Sequence, residues 1–349
     1  MQSHHLGNYR IARQSIGTGK FRKAADVVAH LGAMQAQDFA MARFAIGVRT
    51  RKQTEHDVLA AYNRGDILRT HVLRPTWHFV TPADADWMIR LSAPRILGLM
   101  PGRRKQLKLT DAVFRKSNRI IEKAVTAKPQ TREGLVASLR EARIIGIPEI
   151  YSHLLFRAEL DRVIISGPIT DNRPTYAPYA DRVKKTTAIP HEEALARLAE
   201  RYFTSHGPAS IEDFIWWSGL RVGDARIAVA SVEKKFNREK IGETTYLLHK
   251  SARTAPDSVY LLPAFDEFLI GYADRTAVLT AGMSARVASV NGIFYPTIVA
   301  NGIVIGTWKR EIKKGKLVCK PEYFGKPDRV LRTAVDEKGQ ELAAFLGLG

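Results

Sequence analysis

The stretch 131-TREGLVASLREARIIGIPEIYSHLLFRAELDRVIISGP-168 reads as two helices, a tight turn between them and a short β run. The hydroxyl of Thr131 can cap the first helix, and Glu133 adds negative charge to its first turn. Leu135, Leu139 and Ile144 form a rough apolar stripe at helical spacing. "GIP" (146–148) marks the turn, "EIYSHLLFRAELDRV" (149–163) a second helix, and "VIISGP" (163–168) the β run. Helix, turn, helix and β element is the order of a winged helix-turn-helix unit.

The same order recurs on both sides. Downstream, "HEEALARLAERYFTSHG" (191–207) is a helix stopped by Gly207, and Ser210 caps "SIEDFIWWSG" (210–219) with Asp213 at the capping-box position. "RVGDARIAVASVEKKF" (221–236) follows as a second helix, then strand-like "TTYLLH" (244–249). Upstream come "YRIARQSI" (9–16), "FRKAADVVAHLG" (21–32), "EHDVLAAYNRG" (55–65) and "ILRTHVLRPTWHFVT" (67–81), the last rich in β-formers. The chain therefore reads as α+β, with tandem winged helix-turn-helix modules followed by a small C-terminal β domain. The modules span about 1–100, 110–185 and 190–250, and the β domain 255–349, with turns at "NG" and "KG".

The 349 residues suit a chain of about 150 residues per domain, and 45% hydrophobic residues are enough for a real core. Lys and Arg number 54 against 35 Asp and Glu, a net charge of +19. That excess favours a polyanion, either nucleic acid or an acidic membrane face. A single cysteine, Cys319, excludes a disulfide within the chain and a cysteine-based metal cluster. The N-terminus has no apolar core of signal-peptide length. "NGIFYPTIVANGIVIGTW" (291–308) is uncharged, but Pro296 and the internal Asn301-Gly302 predict two hairpin strands, 293–300 and 303–309, rather than a membrane span. The expectation is a cytoplasmic, nucleoid-associated monomer on double-stranded DNA, with no membrane partner.

Basic residues cluster in "PGRRKQLKLT" (101–110), with Arg103, Arg104 and Lys105, and in "WKREIKKGKLVCK" (308–320). Beside several helix-turn-helix units, such runs point to phosphate contact rather than a merely solvated face.

Within "GAMQAQDFA" (32–40), two amides and a carboxylate interrupt an apolar run. Gly32 is a plausible helix stop. If the chain is extended beyond it, Gln35 and Gln37 share one side while Ala36 faces the core. Two amides so placed could hold a water molecule or a polar base edge. Glutamines are also common on ordinary surfaces.

In "RTHVLRPTWHFV" (69–80), alternation sets Arg69, His71 and Trp77 on one side and Arg74 and His78 on the other. Arginines and aromatics at a cleft could hold phosphate and an unstacked base. Arg69, Arg74, His71 and His78 read as functional, Trp77 as core. Of the pair 216–217, one tryptophan reads as core and the other as covering an interface. Asp266 and Glu267 are either a catalytic pair or a buried ion pair with Arg275 or another basic residue. "IGTGK" (16–20) lacks the first glycine of a phosphate loop. His4-His5 has no third ligand in reach and reads as a flexible terminus.

"LGAMQAQD" (31–38), "LRTHVLRPTWHFVTPAD" (68–84), "LLPAFDEFLIGYADR" (261–275) and "NGIFYPTIVANGIVIGTWKR" (291–310) together resemble the AlkZ-like and YcaQ-like family of bacterial winged-helix DNA glycosylases, in the family's order. The resemblance runs from about residue 8 to residue 345. It implies tandem winged-helix modules, a β domain, and hydrolytic release of alkylated purines of the N7-alkylguanine type, with interstrand crosslinks as a further substrate. The family's signature is glutamine, hydrophobic, glutamine, here Gln35-Ala36-Gln37. The YcaQ-like branch tends to carry a carboxylate at the third place, so Gln37 sets this chain nearer the AlkZ-like branch. The implied roles are Gln35 and Gln37 orienting water and contacting deoxyribose. Asp38 either stabilises positive charge or caps a following turn. DNA-binding residues would be Arg69, Arg74, Arg103, Arg104 and Lys105, supported by His71 and His78. The scheme needs no metal and no cofactor. The competing readings are a winged-helix transcription regulator and a non-catalytic DNA-binding protein.

Overall fold

The computed structural model describes residues 6–99, 101–251, 253–256 and 258–348. The His4-His5 pair lies outside them. The fold is α+β, and one order of elements is used three times along the chain. After α1 (Leu6–Arg13), the first pass runs α2 (Ala24–Leu31), β1 (Met34–Gln35), α3 (Phe39–Gly47), α4 (Glu55–Arg64), β2 (Leu68–Val72) and β3 (Thr76–Val80). Next come α5 (Pro82–Leu97) and α6 (Pro101–Gln106). The second pass runs α7 (Asp111–Ala127), β4 (Gln130–Thr131), α8 (Arg132–Glu141), α9 (Pro148–Leu160), β5 (Ile164–Ser166) and β6 (Thr175–Pro178), closed by α10 (Tyr179–Arg182). The third runs α11 (His191–His206), a bridge at Ala209, α12 (Ile211–Ser218), α13 (Val222–Val232), β7 (Phe236–Ile241) and β8 (Thr244–His249).

Local chemistry starts these helices as the sequence requires. Thr131 accepts the Gly134 N–H, and Ser210 and Asp213 form both bonds of a capping box. Antiparallel strands complete each pass: β2 with β3, β6 with both β5 and β4, β7 with β8.

The remainder holds β9 (Val259–Leu262), α14 (Glu267–Ile270), α15 (Ser284–Val287), β10 (Thr297–Ala300), β11 (Ile303–Lys313), β12 (Lys316–Tyr323) and α16 (Arg329–Leu346). Its sheet has the order β12-β11-β10-β9, antiparallel throughout. The uncharged segment is a hairpin: Ala300 pairs with Ile303 across Asn301 and Gly302, both with positive φ (50° and 80°). Among the described residues no helix is long and apolar enough to cross a membrane.

The C-terminal segment corrects the expectation of a β domain alone. Asp328 accepts the Leu331 N–H at 2.7 Å and opens the 18-residue helix α16. Val335, Leu342 and Phe345 are its buried stripe, and Gly339 lies inside it. A Cβ on Gly339 would come within 3.3 Å of the Cys319 Cβ, so glycine lets the helix approach β12.

Contacts divide the chain into two compact units, one holding the described residues up to Leu59 and from Leu195 onward, the other Ala60–Ala194. The division falls inside α4 and near the start of α11. The first unit packs Ile11, Leu262, Phe268, Val299 and Val304 into one core. The second packs Phe114, Ile121, Leu135, Leu139, Leu154 and Ile164.

The Phe345 ring lies 5.5 Å from that of Phe44 in the first unit. Phe345→Ala is expected to lower the unfolding free energy by about 3 kcal/mol, read from the urea midpoint. An unchanged midpoint would show that α16 contributes nothing to that core.

Candidate active site

The Gln-Ala-Gln segment lies between two helices whose ends fix it. α2 stops at Gly32, whose N–H still reaches the Val28 carbonyl at 2.9 Å. Asp38 begins α3 by accepting the Ala40 and Met41 N–H groups through Oδ1, both at 3.0 Å. Of its two readings, capping is the one the structure displays. Between these stops the burial alternates: Met34 and Ala36 are enclosed, Gln35 is half-buried and Gln37 is exposed. That is the period-two pattern of extended chain, with Ala36 in the core.

Beneath this segment is a buried polar network, all within the first unit. The Gln35 backbone N–H donates to Glu267 Oε1 at 2.8 Å. Glu267 Oε2 accepts from Trp217 Nε1 at 3.0 Å and faces His206 Nε2 at 3.4 Å. Asp266 accepts from both terminal guanidinium nitrogens of Arg49, Nη1 and Nη2, each at 2.8 Å, and caps α14 at Phe268. The expected ion pair therefore exists at Asp266, but with Arg49. Arg275 instead donates to the Leu269 carbonyl. Arg49 also holds the Gln14 side chain at 2.9 Å. Gln14 in turn donates to the Tyr272 hydroxyl, which donates to the His206 carbonyl at 2.7 Å. Arg10 sits 3.6 Å over the Tyr272 ring and pairs with Asp213. Burial raises the phenol pKa of Tyr202 and Tyr272 well above the usual value, so both serve as neutral donors.

Sequence reasoning flagged Gln35, Glu267 and the tryptophan pair but not that they meet, and it did not single out His206. His206 carried only the signal of a helix-ending polar residue. Trp217 is the core member of its pair, as expected, while Trp216 is part-exposed and donates to the Ile270 carbonyl.

The stretch 69–80 is not one strand. Leu73 adopts a positive φ of 59° and turns the chain, so β2 and β3 form a hairpin within the second unit. Cross-strand pairing of His71 with Trp77 and Thr70 with His78 preserves the two faces. Arg69 lies 4.3 Å over the Trp77 ring, and His71 is 4.1 Å from that ring on its own centroid. Trp77 is half-buried, not core, because its neighbours on that face are a cation and an imidazole rather than aliphatic side chains. His71 Nδ1 meets Glu159 at 3.1 Å. His78 is fully enclosed, with Nδ1 at 2.9 Å from the Thr76 carbonyl of the same hairpin. Arg74 is half-buried in the turn.

Arg103 and Lys105 are exposed on α6, and Arg104 is half-buried with its guanidinium 5.8 Å from the Phe114 ring. Desolvation lowers the Arg104 pKa. Arg103 is engaged by Glu149, which raises the guanidinium pKa and lowers that of the carboxyl. Gln35, Gln37 and Asp38 thus belong to the first unit, and Arg69, His71, Arg74, His78, Arg103, Arg104 and Lys105 to the second.

The model of the AlkZ-like DNA glycosylase family matches residues 28–345, and the chain belongs to that family. It is a DNA glycosylase, a hydrolase of N-glycosyl bonds whose substrate is DNA. Its relatives include the interstrand DNA cross-link repair glycosylase of Streptomyces sahachiroi, 24% identical over 97% of this chain and 95% of that protein. The solved structure of Streptomyces sahachiroi DNA glycosylase AlkZ shares the fold, with a TM-score of 0.82 at 21% identity over 99% of this chain and 97% of that one.

Glu267→Gln replaces one acceptor with a donor and leaves either the Gln35 or the Trp217 N–H unmatched. The expected cost is about 2–4 kcal/mol, together with loss of hydrogen-exchange protection at the Gln35 amide. Retained protection at that amide would show that Glu267 does not hold the segment.

His30, in the last turn of α2, has Nε2 at 2.7 Å from the Arg13 carbonyl, and burial pushes its pKa down to about 4. The unfolded chain binds this proton near pH 6.5, the folded chain only near 4. Stability from this group is therefore complete above about pH 6.5 and lost as pH falls towards 4. His30→Gln is expected to flatten the stability curve over that window in pH-stepped denaturation.

Proposed function

We propose that this DNA glycosylase hydrolyses the glycosidic bond of N7-alkylguanine-type purines in double-stranded DNA, interstrand crosslinks included, and acts as a monofunctional enzyme. The observation that carries the reading is the Gln35-Ala36-Gln37 segment at the end of β1, with Ala36 buried, Gln35 half-buried, Gln37 exposed, and the backbone tied to Glu267.

N7-alkylation makes the guanine cationic. The electron pair of the breaking C1′–N9 bond then neutralises the departing base, so no acid is needed to protonate it. The deoxyribose becomes oxocarbenium-like. The remaining work is to place a water oxygen towards C1′ and to surround the sugar cation with dipoles. Two carboxamides do this without titrating. Gln35 and Gln37 orient the water and contact the sugar, and the water's proton leaves to solvent as the C1′–O bond forms. Asp38, fixed as the cap of α3, adds negative potential beside them.

The three passes of helix, short strand, two helices and hairpin support tandem winged-helix modules, and the charge of +19 supports phosphate contact. Arg69, Arg74, Arg103, Arg104 and Lys105 are the proposed phosphate-binding residues of the second unit, and the exposed basic hairpin β11–β12 that of the first. Three modules in one chain are consistent with a monomer. The Streptomyces sahachiroi relative, an interstrand DNA cross-link repair glycosylase, supports crosslinks as substrates.

The test is release of 7-methylguanine from a methylated duplex. Wild type is expected to release it with a flat profile between about pH 6 and 9, because amides do not titrate there. Gln35→Ala and Gln37→Ala are expected to lose about 100-fold or more in rate while still binding DNA. DNA binding without release of this base would overturn the substrate assignment.

A further inference from the structure

In the second unit, β2, β3 and α9 line a cavity of about 440 Å³ whose walls include His71, Trp77, Phe156 and Tyr176. His71 stands between Trp77 and Phe156, with ring centroids 4.1 and 4.5 Å away. Glu159 lines the same cavity at 1% exposure. Its Oε2 accepts from Thr70 Oγ1 at 3.2 Å and meets His71 Nδ1 at 3.1 Å. Its Oε1 is equally enclosed, yet no hydrogen-bond donor among the described residues reaches it. A buried carboxylate oxygen left unmatched is costly, and a donor brought by a ligand would remove the cost. A second cavity of about 320 Å³ shares the walls Trp77, Arg132 and Tyr176 and adds Arg69 and Arg173.

Aromatic walls around a carboxylate, next to a space lined by arginines, match a planar donor joined to an anion. Guanine presents its N1–H beside its 2-amino group, two adjacent donors suited to a carboxylate. Adenine presents a ring acceptor beside its amine, which a carboxylate repels. Arg132, whose Nη2 is 3.0 Å from Ser152 Oγ, borders both cavities and suits a phosphate.

We propose that these two cavities bind an unpaired guanine nucleotide, with the base's donor edge on Glu159 and its phosphate towards Arg132 and Arg173. The proposal rests on the reading of this chain as a DNA glycosylase of guanine-type lesions. It adds a base-recognition site in the second unit. The same base edge could reach Glu159 on a nucleotide displaced from DNA or on the free base that the reaction releases, which brings no phosphate for Arg132.

Calorimetric titration of the full chain tests it. Deoxyguanosine monophosphate is expected to bind saturably. Deoxyinosine monophosphate, lacking the 2-amino group, should bind about tenfold more weakly, and deoxyadenosine monophosphate more weakly still. Glu159→Gln should lower affinity for the guanine nucleotide at least about tenfold. Arg132→Ala should erase the advantage of the nucleotide over deoxyguanosine. A thymine oligonucleotide with one guanine, run beside free 7-methylguanine, separates the two sources of ligand. If Glu159→Gln does not fold, the base series on wild type decides the matter alone. Absence of binding, or equal binding of the guanine and adenine nucleotides, overturns the proposal. Release of 7-methylguanine from duplex DNA is measured in parallel. Release without nucleotide binding would sink this site and leave the proposed reaction standing, while binding without release would do the reverse.

Discussion

The hydrogen bond from the Gln35 amide to the buried Glu267 carboxylate is the constraint on which the site is built. A carboxylate inside a protein must have its oxygens occupied, because an unmatched charge there costs several kcal/mol, on the order of the total stability of many domains. Glu267 meets that need with Gln35, Trp217 and His206. Moving the Gln-Ala-Gln backbone would therefore expose a charge to an interior that cannot solvate it. The neighbouring Asp266–Arg49 pair extends the same logic through Gln14 and Tyr272 back to His206. The result is a polar interior whose members hold one another in place beneath the Gln-Ala-Gln segment.

The repeat explains how such a site could arise in a fold of this kind. In each pass a short extended piece precedes a helix with a side-chain cap: Asp38 before α3, Thr131 before α8 and Ser210 before α12. In the second and third passes that piece is Gln130-Thr131 or the bridge at Ala209. In the first it carries Gln35 and ends in Gln37 and Asp38. The capping side chain is then a structural device common to the repeat, a carboxylate in the first pass and a hydroxyl in the other two, while the pair of glutamines is particular to the first pass. The chemistry proposed for them asks for geometry more than for acidity, and an extended segment held at both ends by helix termini supplies geometry.

The second unit uses its buried carboxylate differently. Glu159 has one oxygen engaged by Thr70 and His71 and the other enclosed without a donor among the described residues. Glu267 and Glu159 are both nearly inaccessible, but the first organises backbone and the second faces a cavity. That contrast, rather than burial itself, separates a structural carboxylate from a candidate recognition group.

Much of the fold was legible because it depends on local rules. Caps at Thr131, Ser210 and Asp213, the stop at Gly32 and the Asn301-Gly302 turn follow from which side chains can satisfy or strain the nearby backbone, and those need no distant partner. The Gln-Ala-Gln motif was visible too, as polar residues alternating with a buried alanine. What the sequence could not supply were choices made between residues far apart in it. That Asp266 takes Arg49 rather than Arg275, that His206 and Trp217 close on Glu267, that Leu73 folds 69–80 back on itself, and that Gly339 serves a close approach inside a helix were all decided by packing. The physical reason is that short-range propensity acts within a few residues, whereas the partner of a buried charge is chosen by which atoms the completed core brings within hydrogen-bond reach.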